Sequence, residues 1–374
     1  MQSYLNSAQP AHGGNLTWAA SLAGCSPFSL VDFSASINPL GPPTGAIAAI
    51  QSNWEQLRHY PDPEYRALRQ ALANAHCLHP DWILPGNGAA ELLTWAGRDL
   101  SGLEQTTILT PGFGDYFRAL RTFGGHWLGV PLEVAHPPSS LPISLPVLPL
   151  PSELHPHGLL LNNPHNPTGW LFMRESLRPY LETHERVVVD EAFMDFLGND
   201  PAESVVDWVQ DFPNLVVVRS LTKFYSLPGL RLGYAIAHPD TLRRWQRWRD
   251  PWSVNSMAEV AAIAALADPA FQQRTWDWLP DARSRLWAGL TAIPGLQPLV
   301  SAANFLLVRA EASVPLLQQR LLQEHQILIR DCMSFAELGD RYFRVAVRTL
   351  EENQRLLTAL HAVLSSLHPG AHGC

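Results

Sequence analysis

The sequence predicts an α/β protein with a large, mainly parallel sheet and a smaller α+β domain toward the C-terminal end. Two observations carry this expectation. Through the middle of the chain, short uninterrupted apolar runs alternate with helical patterns, which is how strands covered on both faces read. Beyond residue 255 the rhythm changes to helices separated by strand-like segments rich in arginine. A length of 374 residues suits two to three domains at roughly 100–200 residues each.

In chain order, residues 1–45 read as an N-terminal arm that packs on the active site and the small domain, and residues 46–255 as the large domain. In the large domain the buried runs are Ile83-Leu84, Thr106–Thr110, Gly158–Leu161, Val187–Val189 and Leu215–Val218, with a helical pattern over Glu175–Glu185 between two of them. Pro137–Pro151 contains six prolines, which remove backbone donors and fix φ, so it reads as an extended surface connection. A helix near Pro251–Glu259 passes to the small domain, residues 256–374. There, helix-like Leu316–His325 is followed by Ile327–Arg330, then Tyr342–Arg348, and the helical stretch Glu352–Leu367. His368–Cys374 reads as a frayed tail. No internal repeat is present.

Composition bounds the function. Apolar residues make up 46% and charged residues 16%, enough to bury a large core. The formal charge is −8 with no basic run, which argues against nucleic acid or an anionic membrane as partner. Pro, Gly or a charge interrupts every apolar stretch before about 18 residues, so no membrane span is expected. Met1–Pro10 lacks the cationic start and apolar run of a secretory signal. The four cysteines, at 25, 77, 332 and 374, show neither a CxxC pair nor metal-ligand spacing. These features point to a cytoplasmic protein without a metal.

In open α/β sheets, ligands bind beyond the carboxyl ends of the strands. Ile83-Leu84 is followed by Gly86-Asn87-Gly88-Ala89-Ala90, and Thr106–Thr110 by Pro111-Gly112-Phe113-Gly114-Asp115-Tyr116. Gly158–Leu161 leads into Asn162-Asn163-Pro164-His165-Asn166-Pro167-Thr168-Gly169, and Val187–Val189 into Asp190-Glu191-Ala192-Phe193. Leu215–Val218 leads into Arg219-Ser220-Leu221-Thr222-Lys223, with Arg231 eight residues later. Singly, each is an ordinary turn, cap or solvated cation. Together they supply what a phosphorylated pyridine aldehyde, pyridoxal 5'-phosphate, requires. Lys223 offers the amine that condenses with the aldehyde. Asp190 pairs with the pyridine nitrogen, and Asn166 donates to the phenolic oxygen. Amides of Gly88, Ala89 and Ala90 at a helix start, with Ser220, Thr222 and Arg231, form a phosphate cup. Phe113 or Tyr116 stacks on the ring.

Asn-Pro-Thr-Gly, Asp190-Glu-Ala-Phe193 and Ser220-Leu-Thr-Lys223 with Arg231 resemble the aspartate-aminotransferase-like, fold-type I pyridoxal phosphate enzymes. The resemblance implies that fold, and a homodimer in which Tyr60 reaches the cofactor phosphate of the neighbouring subunit. His12-Gly-Gly-Asn15, Asp32-Phe-Ser-Ala-Ser-Ile-Asn-Pro-Leu-Gly41, Pro228-Gly-Leu-Arg-Leu-Gly-Tyr234, Pro251-Trp-Ser-Val-Asn255 and Tyr342-Phe-Arg-Val-Ala-Val-Arg348 resemble one branch of these enzymes. That branch is the L-threonine-O-3-phosphate decarboxylases of cobalamin biosynthesis, and the resemblance runs from about residue 12 to residue 365. It implies a small phosphorylated amino acid as substrate. His12, Asn38, Asn166, Arg330 and Arg344 are then candidate substrate contacts, with Arg344 matching the family's carboxylate-binding arginine. Phe193 contacts the cofactor where aminotransferases of this fold usually carry tyrosine, and Arg348 reads as a surface salt-bridge partner ahead of a further phosphate contact. His165 departs from the family's usual asparagine. Alternatives are histidinol-phosphate aminotransferase, O-phospho-L-serine decarboxylase, and a non-catalytic protein on the same fold.

Overall fold

The computed structural model describes residue 10 and residues 12–148, 157–198 and 201–367. The readings made on residues 1–9, on 149–151 and on the tail 368–374 lie outside the described residues. The chain divides into two compact units. The larger comprises Ile37–Asp281 and Val300–Asn304; the smaller comprises the described residues of Met1–Ser36, Ala282–Leu299 and Phe305–Cys374.

The larger unit is built on a seven-stranded sheet. Its order is Ile83–Asn87, Leu232–Ala237, Leu215–Ser220, Arg186–Asp190, His157–Asn162, Gln105–Thr110 and Trp127–Pro131. The last five run parallel, and Leu232–Ala237 is antiparallel to both its neighbours. All five apolar runs expected to be strands are strands in this sheet. On one face Leu92, Leu93, Ala96 and Trp245 pack on Ile108, Leu160, Val188, Val216 and Ala235, and every residue of Leu215–Ser220 is buried, so this central strand is covered on both faces.

The register sets up the site. Asn162 pairs with Asp190, and Asp190 with Val218, so three parallel strands end side by side. Pairing continues past the strand ends: Asn163 N–H donates to the Asp190 carbonyl at 2.9 Å and Glu191 N–H to the Val218 carbonyl at 2.8 Å. Asn162-to-Gly169, Asp190-to-Phe193 and Ser220-to-Lys223 therefore leave the sheet at one edge.

Ser256–Leu266 packs on Thr44–Asn53 and Arg66–Ala75, so it belongs to the larger unit. The division falls later than the sequence-based limit of 255/256, inside the helix Pro269–Thr291. The expected arm 1–45 is likewise divided, because Ile37 onward joins the larger unit. The described part of Pro137–Pro151 carries no helix or strand beyond a single bridge from Ile143 to Phe172.

The smaller unit holds an antiparallel sheet in the order Arg330–Asp331, Tyr342–Ala346, Phe305–Ala310, Leu296–Pro298. Val31–Asp32 pairs in parallel with Ile327–Leu328, and Ala19 of the helix Leu16–Ala23 packs on Leu322 and Leu328.

Gly233 sits opposite both Gly86 and Ser220 in the sheet. A methyl there would lie 2.7 Å from the Ala89 amide nitrogen and 2.8 Å from the Arg219 carbonyl oxygen. Both are backbone atoms that cannot swing aside. Gly233→Ala should therefore cost about 1–3 kcal/mol, read as a lower urea midpoint; an unchanged midpoint would contradict this account.

Candidate active site

Lys223 lies in the four-residue helix Leu221–Phe224, immediately after the strand Leu215–Ser220. It is the only lysine in the chain: of the 26 Lys and Arg residues, all the others are arginine. Its ammonium sits over the Phe193 ring, 4.8 Å from the centroid. A chain that uses arginine for every other cation keeps an amine at the one position where an arginine could not perform amine chemistry. That signal was available in the sequence.

On the adjacent strand, the Asp190 carboxyl is buried. Burial raises its pKa, opposed by the positive charge of Lys223 and by hydrogen bonds from the Tyr116 hydroxyl and the Ala192 amide. Those bonds are 2.8 Å to Oδ2 and 3.0 Å to Oδ1. Tyr116 is only 1% exposed, its own pKa is pushed well up by burial, and its ring meets Phe113 edge-on at 5.6 Å.

Gly88, at φ 75°, precedes the helix Ala89–Leu100. Its N–H donates to the Gly86 carbonyl at 2.8 Å, within the turn rather than outward. Gly88 serves instead as space. A methyl there would stand 2.5 Å from Arg231 Nη2, so only glycine lets that guanidinium lie against the helix start. Ala89 and Ala90 open the helix. Ser220 and Thr222 hydroxyls are 2.7 Å apart. This combination of a glycine cradle, helix start, two hydroxyls and a guanidinium fits a phosphate group.

Asn166 is buried in the turn after His157–Asn162. His165 beside it is wholly buried, with Nδ1 2.8 Å from the Thr168 hydroxyl, and burial holds its pKa down to about 3. It locks the turn as a neutral ring. Asn38 is a second departure from expectation: every polar atom it carries is committed within the protein, as detailed below, so it presents nothing to a substrate. Beneath the site lies a group that the sequence reading missed. The buried Arg219 pairs with Glu191 at 2.7 Å and Asp195 at 2.5 Å, and donates to the Ser204 hydroxyl at 2.9 Å. A charged residue directly after the apolar run Leu215–Val218 was the available clue.

Tyr60 is 79% exposed and stacks on Trp252 with centroids 4.5 Å apart. In the smaller unit, Arg330 and Arg344 face each other across paired strands. Arg330 donates to the Pro10 carbonyl at 3.0 Å and the Ser334 hydroxyl at 2.6 Å. Arg344 donates to the Ser34 carbonyl at 3.3 Å and lies over the Phe305 ring; burial lowers its pKa to about 10, which leaves it charged at neutral pH. Gly14 N–H donates to the Ser34 hydroxyl at 2.8 Å, and His12 helps line a small cavity with Ser34, Gln318 and Arg330. Arg348 pairs with Glu352 at 2.8 Å.

With this fold and this set of groups, the chain belongs to the class I and II aminotransferase family, whose model matches residues 29–360. It is similar to a threonine-phosphate decarboxylase from Salmonella typhimurium, 40% identical over 366 residues that cover 96% of this chain and 98% of that one. It is also similar to a histidinol-phosphate aminotransferase from Symbiobacterium thermophilum, 34% identical across 90% of this chain and 91% of the other. Among solved structures, an L-threonine-O-3-phosphate decarboxylase from Porphyromonas gingivalis superposes with a TM-score of 0.77 at 25% identity, covering 89% and 99% of the two chains.

The buried neutral histidines make stability depend on pH. His165 and His76 both have pKa values lowered by burial from 6.5 to about 3. Between those values only the unfolded chain binds the protons, so stability rises with pH, by about 1.4 kcal/mol per unit for each histidine. Urea unfolding of His165→Asn between pH 6 and pH 4 (about the middle of that window) should show a slope shallower by roughly that amount. An unchanged slope would mean that His165 is charged in the fold.

Proposed function

We propose that this chain is a pyridoxal-phosphate-dependent decarboxylase that converts L-threonine O-3-phosphate to (R)-1-amino-2-propanol O-2-phosphate and carbon dioxide in cobamide assembly. The observation that carries the cofactor reading is the chain's sole lysine, standing beside a buried aspartate on the next parallel strand. The substrate reading is supported by the similarity to threonine-phosphate decarboxylases along nearly the whole chain.

When bound, the cofactor supplies an electron sink for the pair released from the substrate's α-carbon. Every other task falls to the chain's own residues. Lys223 would hold the aldehyde carbon and, once the substrate amine replaces it there, its freed ammonium would be the acid placed to return a proton to the α-carbon. Asp190, oriented by Tyr116 and Ala192, keeps the pyridine nitrogen protonated; its burial raises its pKa, and a cation there restores its charge. Asn166 holds the phenolic oxygen and shares in orienting substrate. Because the Tyr116 hydroxyl is engaged by Asp190, half-buried Phe113 is the residue that covers the ring face. Ala89, Ala90, Ser220, Thr222 and Arg231 take the cofactor phosphate, with Gly88 leaving room. Phe193 adds packing but no hydrogen bond to the phenolic oxygen.

The substrate carboxylate goes to Arg344 and its phosphate to Arg330 and His12. Their grip on the two anions would decide which bond at the α-carbon is presented to the electron sink, and decarboxylation requires that it be the Cα–carboxylate bond. The enzyme is proposed to be a cytosolic homodimer in which exposed Tyr60 reaches the partner's cofactor phosphate. A spare methyl in a pocket is worth only about 1–3 kcal/mol, so O-phospho-L-serine is the expected secondary substrate.

Two experiments test this. Borohydride reduction of the protein with bound pyridoxal phosphate should add one phosphopyridoxyl mass, located by peptide mapping at Lys223. Lys223→Ala should lose that label and all turnover together; turnover without Lys223 would defeat the assignment. Mass spectrometry of products from O-phospho-L-threonine should show aminopropanol phosphate without 2-oxoglutarate. Glutamate formed from 2-oxoglutarate and histidinol phosphate, with no decarboxylation, would instead make the protein a histidinol-phosphate aminotransferase.

A further inference from the structure

The helix that carries Lys223 is a single turn, Leu221–Phe224. One turn cannot sustain itself, and its closing carbonyls have no partner within the helix. The Tyr225 and Ser226 amides reach the Lys223 carbonyl from beyond the turn, and Asn38, 2% exposed, adds partners from elsewhere in the chain. Its backbone N–H donates to the Lys223 carbonyl at 3.0 Å, and its side-chain nitrogen donates to the Phe224 carbonyl at 2.9 Å. The second side-chain hydrogen goes to the Thr275 hydroxyl at 2.8 Å, while Thr275 donates its own proton to the Phe271 carbonyl at 3.0 Å. Asn38 Oδ1 accepts from Leu40 N–H at 3.1 Å, and its carbonyl accepts from the Ser226 hydroxyl. Ser226, at φ 53°, turns the chain back over this clip.

We infer that Asn38 is the positioning residue for Lys223: it holds the lysine turn by its carbonyls and contacts no substrate. This rests on the reading that Lys223 carries the cofactor. A side chain with both donors committed to fixed acceptors sets the Cα of Lys223 against the body of the larger unit through Thr275. An error of about 1 Å in such a placement costs on the order of a hundredfold in rate. Substrate affinity, which depends on other groups, is untouched.

The test uses the full-length holoenzyme with Asn38→Asp, which keeps the shape and the acceptor but not the two donors, and Thr275→Val, which removes one acceptor and leaves the Asn38 backbone bonds. Both should lower kcat, Asn38→Asp by at least about tenfold, with KM within about threefold of wild type. Both should also shift the pH midpoint of the bound-cofactor absorbance by about half a unit or more, because that midpoint reports the surroundings of Lys223 Nζ. A large rise in KM with kcat intact would make Asn38 a substrate contact and overturn the inference. A drop in melting temperature alone, with midpoint and kcat unchanged, would reduce it to a structural residue and overturn it equally. If Asn38→Asp does not fold, Thr275→Val decides by the same readouts. Failure of wild-type protein to take up cofactor at Lys223 would be seen before any variant is made, and would count against the functional reading instead.

Discussion

The site depends on a buried guanidinium. Arg219 is enclosed by Glu191, which lies within the segment that runs from Asp190 through Phe193, and by Asp195 just beyond it. Arg219 itself is the residue before Ser220, so one cation joins the ends of two adjacent parallel strands at the level where their side chains turn toward chemistry. Glu191 is tied further to the Ser204 hydroxyl at 2.9 Å and to the Val205 amide at 2.8 Å. Trp276 Nε1 donates to the Asp195 carbonyl at 2.8 Å. Taking such a cation from water is costly, and removing one partner from a buried pair costs about 3–5 kcal/mol, so the arrangement tolerates little drift. What it provides is definition: Asp190 and Ser220 cannot move independently.

The central parallel strands were legible because burial on both faces leaves an unbroken apolar run. Thr106–Thr110, Gly158–Leu161, Val187–Val189 and Leu215–Val218 each sit within an observed strand. The edge strand Trp127–Pro131 was not legible: it is largely exposed and lacks such a run. Leu232–Ala237 was hidden for another reason, since Gly233 and Tyr234 interrupt the aliphatic signal where the backbone must approach Ala89 closely. Two of the small unit's helices were visible from periodicity, observed as Val314–His325 and Leu350–Leu367, whereas Leu16–Ala23 was not read. The domain limit was not, because nothing in the composition of Pro269–Thr291 marks the point at which a continuous helix changes allegiance.

At the site, residue types were easier to read than residue duties. Asp190 and the Lys223 turn leave adjacent parallel strands at one end of the sheet, and Arg231 lies against Gly88. Gly88 and Asn38 were both assigned ligand contacts because of what their atoms can donate. Their hydrogens are already committed to Gly86 and to the lysine turn, respectively. Sequence shows a donor's existence, whereas its availability is a property of the packed structure. Phe113 and Tyr116 are alike in the sequence for the same reason, and only the packed structure shows the Tyr116 hydroxyl committed to Asp190.

The arginine-for-lysine economy of this chain bears on its chemistry outside the catalytic cycle. An aldehyde cofactor condenses with any accessible primary amine, and an ordinary protein surface offers dozens of them. Here the surface cations are guanidinium groups, which stay protonated and are poor nucleophiles toward a carbonyl at cellular pH. Excess aldehyde therefore finds no competing side-chain amine on the protein that needs it. The same scarcity makes the enzyme addressable: an amine-directed probe that enters the chain's side chains at all must report on the one residue that matters.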